Sequence, residues 1–302
     1  MANTNKGDVA SLLEPGIRTL FTEFYDKYSQ TATYKQISTV INSQSDTENY
    51  SWLTESPTMR EFVDERVIKA VSENTYLLKN KTWEATLGVE RSALEDDKYG
   101  QIRIRIEDLA KNVSLHKNKL VFETLISGVT QKCFDGQNFF STTHKYQGKG
   151  VYSGSQSNLG TLTLTEANLK TTISNMAKLK SSAGEPLNVI PDTIVVPPDL
   201  EWTAKELVFS SSIGTSHSVN TLKGTLNVIV SPYITDTDSW YLLSCENVLK
   251  PIILQERCGV EFVSLGADSE EGFMRDLFLF GVRARYNAGY SYWQLAYANI
   301  PA

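Results

Sequence analysis

Thr82-Trp-Glu-Ala-Thr-Leu-Gly-Val-Glu90 is the stretch whose reading sets the fold class. Trp83, Ala85, Leu87 and Val89 alternate with Thr82, Glu84, Thr86 and Glu90, the period of a strand with one apolar and one polar face. Downstream the period changes. Ile106, Leu109, Ala110, Val113, Leu120, Thr124 and Ile126 recur at helical spacing over residues 102–127, and Gly128 is a natural stop. Such a helix exceeds the mean of about 11–12 residues, so a break near Ser114 is expected. Tyr76 to Asn80 reads as a partner strand or its lead-in, and Glu95-Asp96-Asp97 with Gly100 as an acidic turn. A two-stranded excursion is at best marginally stable alone, so its apolar face needs a cover from its own body or from a neighbour.

Upstream, residues 1–55 read as an arm. Leu13, Ile17, Leu20, Phe21, Phe24 and Tyr28 give Val9 to Tyr28 one amphipathic helix. Ser29 to Thr54 is rich in Ser, Thr, Gln and Asn, and reads as a loop or as a strap laid on another subunit. Ser56-Pro57 opens a helix that carries Val63, Val67 and Val71 on one stripe and ends near Ser72.

Beyond the long helix, Gln147 to Gly160 is a Gly- and Ser-rich loop, and Thr165 to Lys180 a helix with Leu169, Ile173, Met176 and Leu179 in line. Strands are expected at Thr193–Val196, Leu226–Val230, Trp240–Leu243, Lys250–Gln255, Val260–Val263 and Leu277–Tyr286. Pro197-Pro198-Asp199 starts a short helix with Leu200, Ala204, Leu207 and Val208 on one face, and Ser210 to Ser218 is a polar, mobile segment. Helices and strands intermix without a regular βαβ rhythm, which predicts an α+β protein. No repeat of solenoid length is visible.

Composition narrows the function classes. The 302 residues are 41% hydrophobic with a net charge of −6, an ordinary globular balance. The most apolar run, Leu277-Phe-Leu-Phe-Gly-Val282, falls far short of the roughly 18 residues that cross a bilayer, and the polar start shows no secretory signal. Three cysteines make no disulfide framework and fit a reducing compartment. The acidic balance argues against a protein built to grip phosphate backbones. The middle third is nonetheless net basic, as a stripe meeting an acidic partner or simply as a solvated helix face.

Chemistry-bearing patterns are sparse. Dinucleotide and Walker loops, HExxH and GxSxG are all missing. A triad or zinc site would have to draw on His116, His144 and His217. Cys133 and His144 with Asp135 form the best set for nucleophilic catalysis, although a buried structural cysteine is the commoner outcome for such a pattern. Cys245 and Cys258 read as core residues. The spacing of these ligands is poor for a metal, and no metal or organic cofactor is expected. The aromatic runs Trp240-Tyr241 and Tyr286 to Trp293 lack a basic surround and read as core or subunit interface.

Three segments resemble the Mu-like phage major head subunit (gpT) family. They are Arg66-Val-Ile-Lys69 through Tyr76–Thr86 to Leu94–Gly100; Cys133-Phe-Asp-Gly-Gln-Asn-Phe-Phe140 with His144; and Pro191-Asp-Thr-Ile-Val-Val-Pro-Pro198 with Ser231-Pro-Tyr233 and Trp240-Tyr-Leu-Leu243. Their order and spacing match across about residues 10–300.

The resemblance implies a Hong Kong 97-type capsid fold. It assigns residues 1–55 to an N-terminal arm and 56–100 to a helix and extended hairpin. Residues 101–159 and 249–302 would form a peripheral domain with a long spine helix, and 160–248 an axial domain. It further implies a structural protein and not an enzyme: a tailed-phage or prophage major capsid protein forming hexamers and pentamers of an icosahedral shell around double-stranded DNA. Trp83, Ala85, Leu87 and Val89 would then be an interface covered by the adjacent subunit. Implied partners are other copies of the chain, a scaffold, a maturation protease, a portal, a decoration protein and non-specifically held DNA, with no membrane. The location would be the virion, assembled in the bacterial cytoplasm. The rival readings are an encapsulin-like compartment shell and a cysteine-dependent hydrolase using Cys133 and His144.

Overall fold

The computed structural model describes residues 6–50, 76–95, 99–146, 152–213, 218–266 and 269–301. The helix expected over 56–72, with Val63, Val67 and Val71, lies outside these residues, as do Asp96, Asp97 and His217. In chain order the elements are α1 (Lys6–Gln30), α2 (Tyr34–Ile37), β1 (Ser38–Asn42), β2 (Thr47–Asn49), β3 (Leu77–Lys79), β4 (Lys81–Glu90), α3 (Arg91–Glu95) and α4 (Tyr99–Ile126). There follow β5 (Leu159–Gly160), α5 (Glu166–Ala177), β6 (Thr193–Val196), α6 (Glu201–Phe209), β7 (Ser212–Ile213), β8 (Ser218–Val219), β9 (Asn227–Val230) and β10 (Trp240–Leu243). The chain closes with β11 (Ile252–Leu265), α7 (Glu270–Arg275), β12 (Leu277–Tyr290) and β13 (Ala296–Asn299).

Two larger sheets organise the subunit, a four-stranded one in the order β1-β11-β12-β4 and a five-stranded one in the order β5-β13-β10-β6-β9. In the first, β11 and β12 form a long antiparallel ribbon, β4 pairs along β12, and β1 joins β11 in parallel. The amphipathic stripe of α1 (Ile17, Phe21, Phe24) meets Ile102, Ile106 and Ala110 of α4 and Phe278, Phe280 and Val282 of β12 in one apolar cluster. In the second sheet every residue of β6, β10 and β13 is buried, because both faces are covered. Val195, Tyr241 and Leu243 join Val121, Phe122 and Leu125 of α4 on one face. Ile194, Trp240 and Leu242 join Leu169 and Met176 of α5 and Ala204 and Val208 of α6 on the other. Helix α4 thus enters both cores, and it runs unbroken through Ser114, whose hydroxyl donates to the Lys111 carbonyl at 2.8 Å.

Several expectations change. Of the segment 29–54, the described residues 29–50 fold into the subunit, and 51–54 lie outside the described residues. β1 pairs within the same subunit, and Tyr34, Ile37 and Tyr50 are buried in it. These anchors are irregularly spaced, so no period betrays them. The strand at 81–90 is one of four in a sheet and not half of an isolated hairpin, so helix α4 and the arm helix supply its second layer from the same chain. A short antiparallel ladder of three residue pairs joins β2 to β3. The strands expected at 250–255 and 260–263 are one strand, β11, with register shifts at Glu256/Cys258 and Cys258/Glu261. β13 lies between β5 and β10 in the second sheet. Within and just after the segment expected to be mobile, β7 and β8 form a small antiparallel pair, and residues 214–217 lie outside the described residues.

Candidate functional site

Two places carry the residues singled out by the sequence. The first is the apolar face of β4. Trp83 donates its indole N–H to the Tyr286 carbonyl at 2.9 Å and lies 4.4 Å, ring to ring, from His116 of α4. His116 Nδ1 sits 2.8 Å from the Tyr286 hydroxyl, and burial pushes the imidazole pKa down. Beside them Lys117 Nζ makes a 2.7 Å ion pair with Glu256 and stands 5.3 Å from the Tyr286 ring centre, tying α4 to β11. Val89 is only 6% exposed, inside the cluster with Ile102 and Ile106. Ala85, Leu87 and Trp83 are half-buried. Within the subunit, this face is therefore partly covered by the chain's own α1, α4 and β12, which bury Val89 and leave Trp83, Ala85 and Leu87 half-buried.

The second place is built on the turn after α4. Cys133 N–H donates to the Gln137 carbonyl (2.8 Å) and Gly136 N–H to the Cys133 carbonyl (3.1 Å), with Gly136 at φ +80°, where a side chain would be strained. Asp135 faces inward. Its Oδ1 accepts the Gln137 N–H (2.9 Å) and the Cys133 thiol (3.1 Å), and its Oδ2 lies 2.6 Å from His144 Nδ1. The other imidazole nitrogen is 3.1 Å from Asn158 Oδ1. That amide has a fixed orientation: Oδ1 accepts the Ser141 N–H, while Nδ2 donates to the carbonyls of Phe139, Trp293 and Ala296. His144 Nε2 is consequently a donor. The His144 ring is fully buried and stacks on Trp293 at 4.0 Å and 3°.

Sequence reasoning named Cys133, Asp135 and His144 but judged the spacing uninformative; the folded turn brings their donor atoms within 4.8 Å of one another. It missed Asn158 and Trp293, which orient the histidine from 14 and 149 residues away and leave no local signal. The arrangement is not that of a nucleophile and its base. The carboxylate stands between thiol and imidazole, and the imidazole's far nitrogen is held by Asn158. Burial, and then the Asp135 charge, push the Cys133 thiol pKa well up, which keeps it protonated. Burial also pushes Asp135 up, but the hydrogen bonds from His144, Cys133 and Gln137 outweigh it and hold the carboxyl below its usual range. Cys245 is buried and Cys258 half-buried, apart from this cluster.

With this geometry the chain matches the Mu-like prophage major head subunit gpT family over residues 11–162, 160–234 and 235–301. The chain belongs to this family. It is 28% identical over 271 residues to the major capsid protein of Escherichia phage Mu, and 27% identical over 266 to the Mu-like prophage FluMu major head subunit of Haemophilus influenzae. Each match takes in 88% of this chain and 65% of the relative, so the chain spans slightly under two thirds of the relatives' length. Among solved structures, the procapsid of bacteriophage JBD30 aligns over 96% of this chain and 76% of its own with a TM-score of 0.58 and 28% identity. The virus-like particle from Pyrococcus furiosus aligns over 93% and 98% with a TM-score of 0.54; at 13% identity it shares the fold alone. The fold is the Hong Kong 97-type capsid fold, in its α+β form. Among the described residues no helix is long and apolar enough to cross a membrane.

Proposed function

We propose that this gpT-family chain is the major capsid protein of a tailed phage or prophage, whose copies form the hexamers and pentamers of an icosahedral shell around double-stranded DNA. The observation that carries the reading is the agreement with the JBD30 procapsid subunit over 96% of the chain at 28% identity. The match to the Mu-like prophage major head subunit family over most of the chain favours a phage head over an encapsulin-like compartment. The subunit's own surface is consistent with association. Trp202 (74% exposed) and Phe209 on α6, Val219 on β8, and Phe273 (86%) with Met274 on α7 between β11 and β12 are large apolar side chains left exposed by the subunit.

In this reading the four-stranded sheet with α1 and α4 is the peripheral domain and the five-stranded sheet with α5 and α6 the axial domain, with 296–299 moved to the latter. A scaffold, maturation protease, portal and decoration protein are the further partners; the JBD30 capsid itself has been described decorated with minor capsid protein trimers. The net charge of −6 suits a shell that contains DNA without gripping it, within a virion assembled in the host cytoplasm. Electron microscopy and sedimentation of the purified chain, with and without a co-expressed scaffold, test the proposal. Rings, tubes or shells are expected. A strict monomer under both conditions, fully protected in hydrogen exchange, would refute it.

A further inference from the structure

We propose that Cys133, Asp135 and His144 form a binding site for one divalent transition-metal ion of the zinc class. A thiol sulfur, a carboxylate and an imidazole nitrogen lie within 4.8 Å of one another, so relative shifts on the order of an ångström would place all three around one ion. This donor set, with its borderline-soft sulfur and nitrogen, suits zinc and not calcium or magnesium, which take oxygen. The carboxylate can offer one oxygen or both, and water completes four-coordination.

The second, independent observation concerns the far side of the ring. A metal-bound histidine nearly always donates its other N–H to an oxygen that fixes its orientation. Here that oxygen is Asn158 Oδ1 at 3.1 Å, itself locked by Ser141 and by three carbonyls, with Trp293 stacked on the ring. Nδ1 is thereby aimed at the thiol and carboxylate. Such preparation is more than a hydrogen-bonded turn requires.

The charges also close. Binding takes the Cys133 sulfur as a thiolate and His144 Nδ1 through its lone pair, and the displaced protons leave to solvent. A dication with a thiolate, a carboxylate and a neutral imidazole carries no net charge, which suits a site with a fully buried histidine. The high pKa of the thiol is overcome by the ion it binds, as at other thiolate–metal sites.

The experiment uses the full chain, purified without chelator, then stripped and titrated with Co²⁺ as the spectroscopic probe. One zinc per chain on isolation is expected. On titration one Co²⁺ should bind with a thiolate-to-cobalt charge-transfer band, and at least the thiol proton should be released per ion in weak buffer. Cys133→Ser should abolish the band and weaken binding at least tenfold, while Cys245→Ser and Cys258→Ser retain both. Folded wild type with titratable thiols that holds no zinc and gives no band would overturn the proposal, leaving a clasp of protons only. A band that survives in Cys133→Ser would do the same. Should Cys133→Ser fail to fold by circular dichroism, the wild-type titration and the two control variants decide.

Discussion

Replacing Trp83 by Ala asks whether the β4 face belongs to one subunit or to two. Truncating a fully buried Trp costs about 3–5 kcal/mol. Trp83 is half-buried, so roughly half of that, ~2 kcal/mol, is lost as packing against His116 and Tyr286. The indole hydrogen bond to the Tyr286 carbonyl adds about 1 kcal/mol. The expected total is ~3 kcal/mol, taken from the stability of the isolated subunit. In urea, with a slope near 3 kcal/mol/M, the unfolding midpoint should fall by about 1 M. Subunit kept under non-assembling conditions is unfolded while tryptophan-independent far-ultraviolet circular dichroism is followed, and the same variant is sedimented under assembling conditions. An unchanged urea midpoint with loss of particles would refute the reasoning, because the indole would then be serving a contact between copies.

Val195→Asp places a charge at a fully buried position shared by the central sheet and α4, and the variant should not fold, as judged by circular dichroism and solubility. Gly128→Ala would set a Cβ 2.8 Å from the Phe140 ring and 3.0 Å from that of Phe139; overpacking of about 1–3 kcal/mol should appear as a lowered thermal midpoint. Glu48 is held down to about 2 by hydrogen bonds from the Ser43 hydroxyl and the Gln44 and Ser45 N–H groups. A folded-state pKa below the unfolded one gives stability that is present above the unfolded value and is lost as pH falls toward 2. Over that acid window wild type should therefore lose more stability than Glu48→Gln; parallel curves would contradict the assignment.

How much of this was legible in sequence depended on whether burial kept a single period. Helix α4 and strands β6 and β10 were readable because apolar residues recur at helical spacing in the first and run continuously in the others. β11 read as two strands because its bulges put half-exposed Glu256 to Gly259 between two apolar runs. β1 was invisible: Thr39 and Asn42 give it the composition of a loop, and it is held by parallel pairing to a strand more than two hundred residues away. The alternation of Trp83, Ala85, Leu87 and Val89 marked an apolar face, and the subunit's own chain covers part of it; a period shows that a face is apolar and not which chain covers it. In the Cys133 turn the local residues were evident, whereas Asn158 and Trp293 arrive from elements that only tertiary folding brings near.

The position of β13 has a consequence for synthesis. The five-stranded sheet takes strands from residues 159–160, 193–196, 227–230, 240–243 and 296–299, and β13 is an inner strand between β5 and β10. Pairings so distant in sequence form late, after the loops between them have closed. Until residues 296–299 have left the ribosome, β10 exposes a bare edge and β5 has no partner at all. Chains that terminate early therefore cannot complete this sheet, and their open edges mark them for chaperones and proteases. Since β13 is made after the four other strands of its sheet and lies inside it, closing this sheet is the last step in joining its strands.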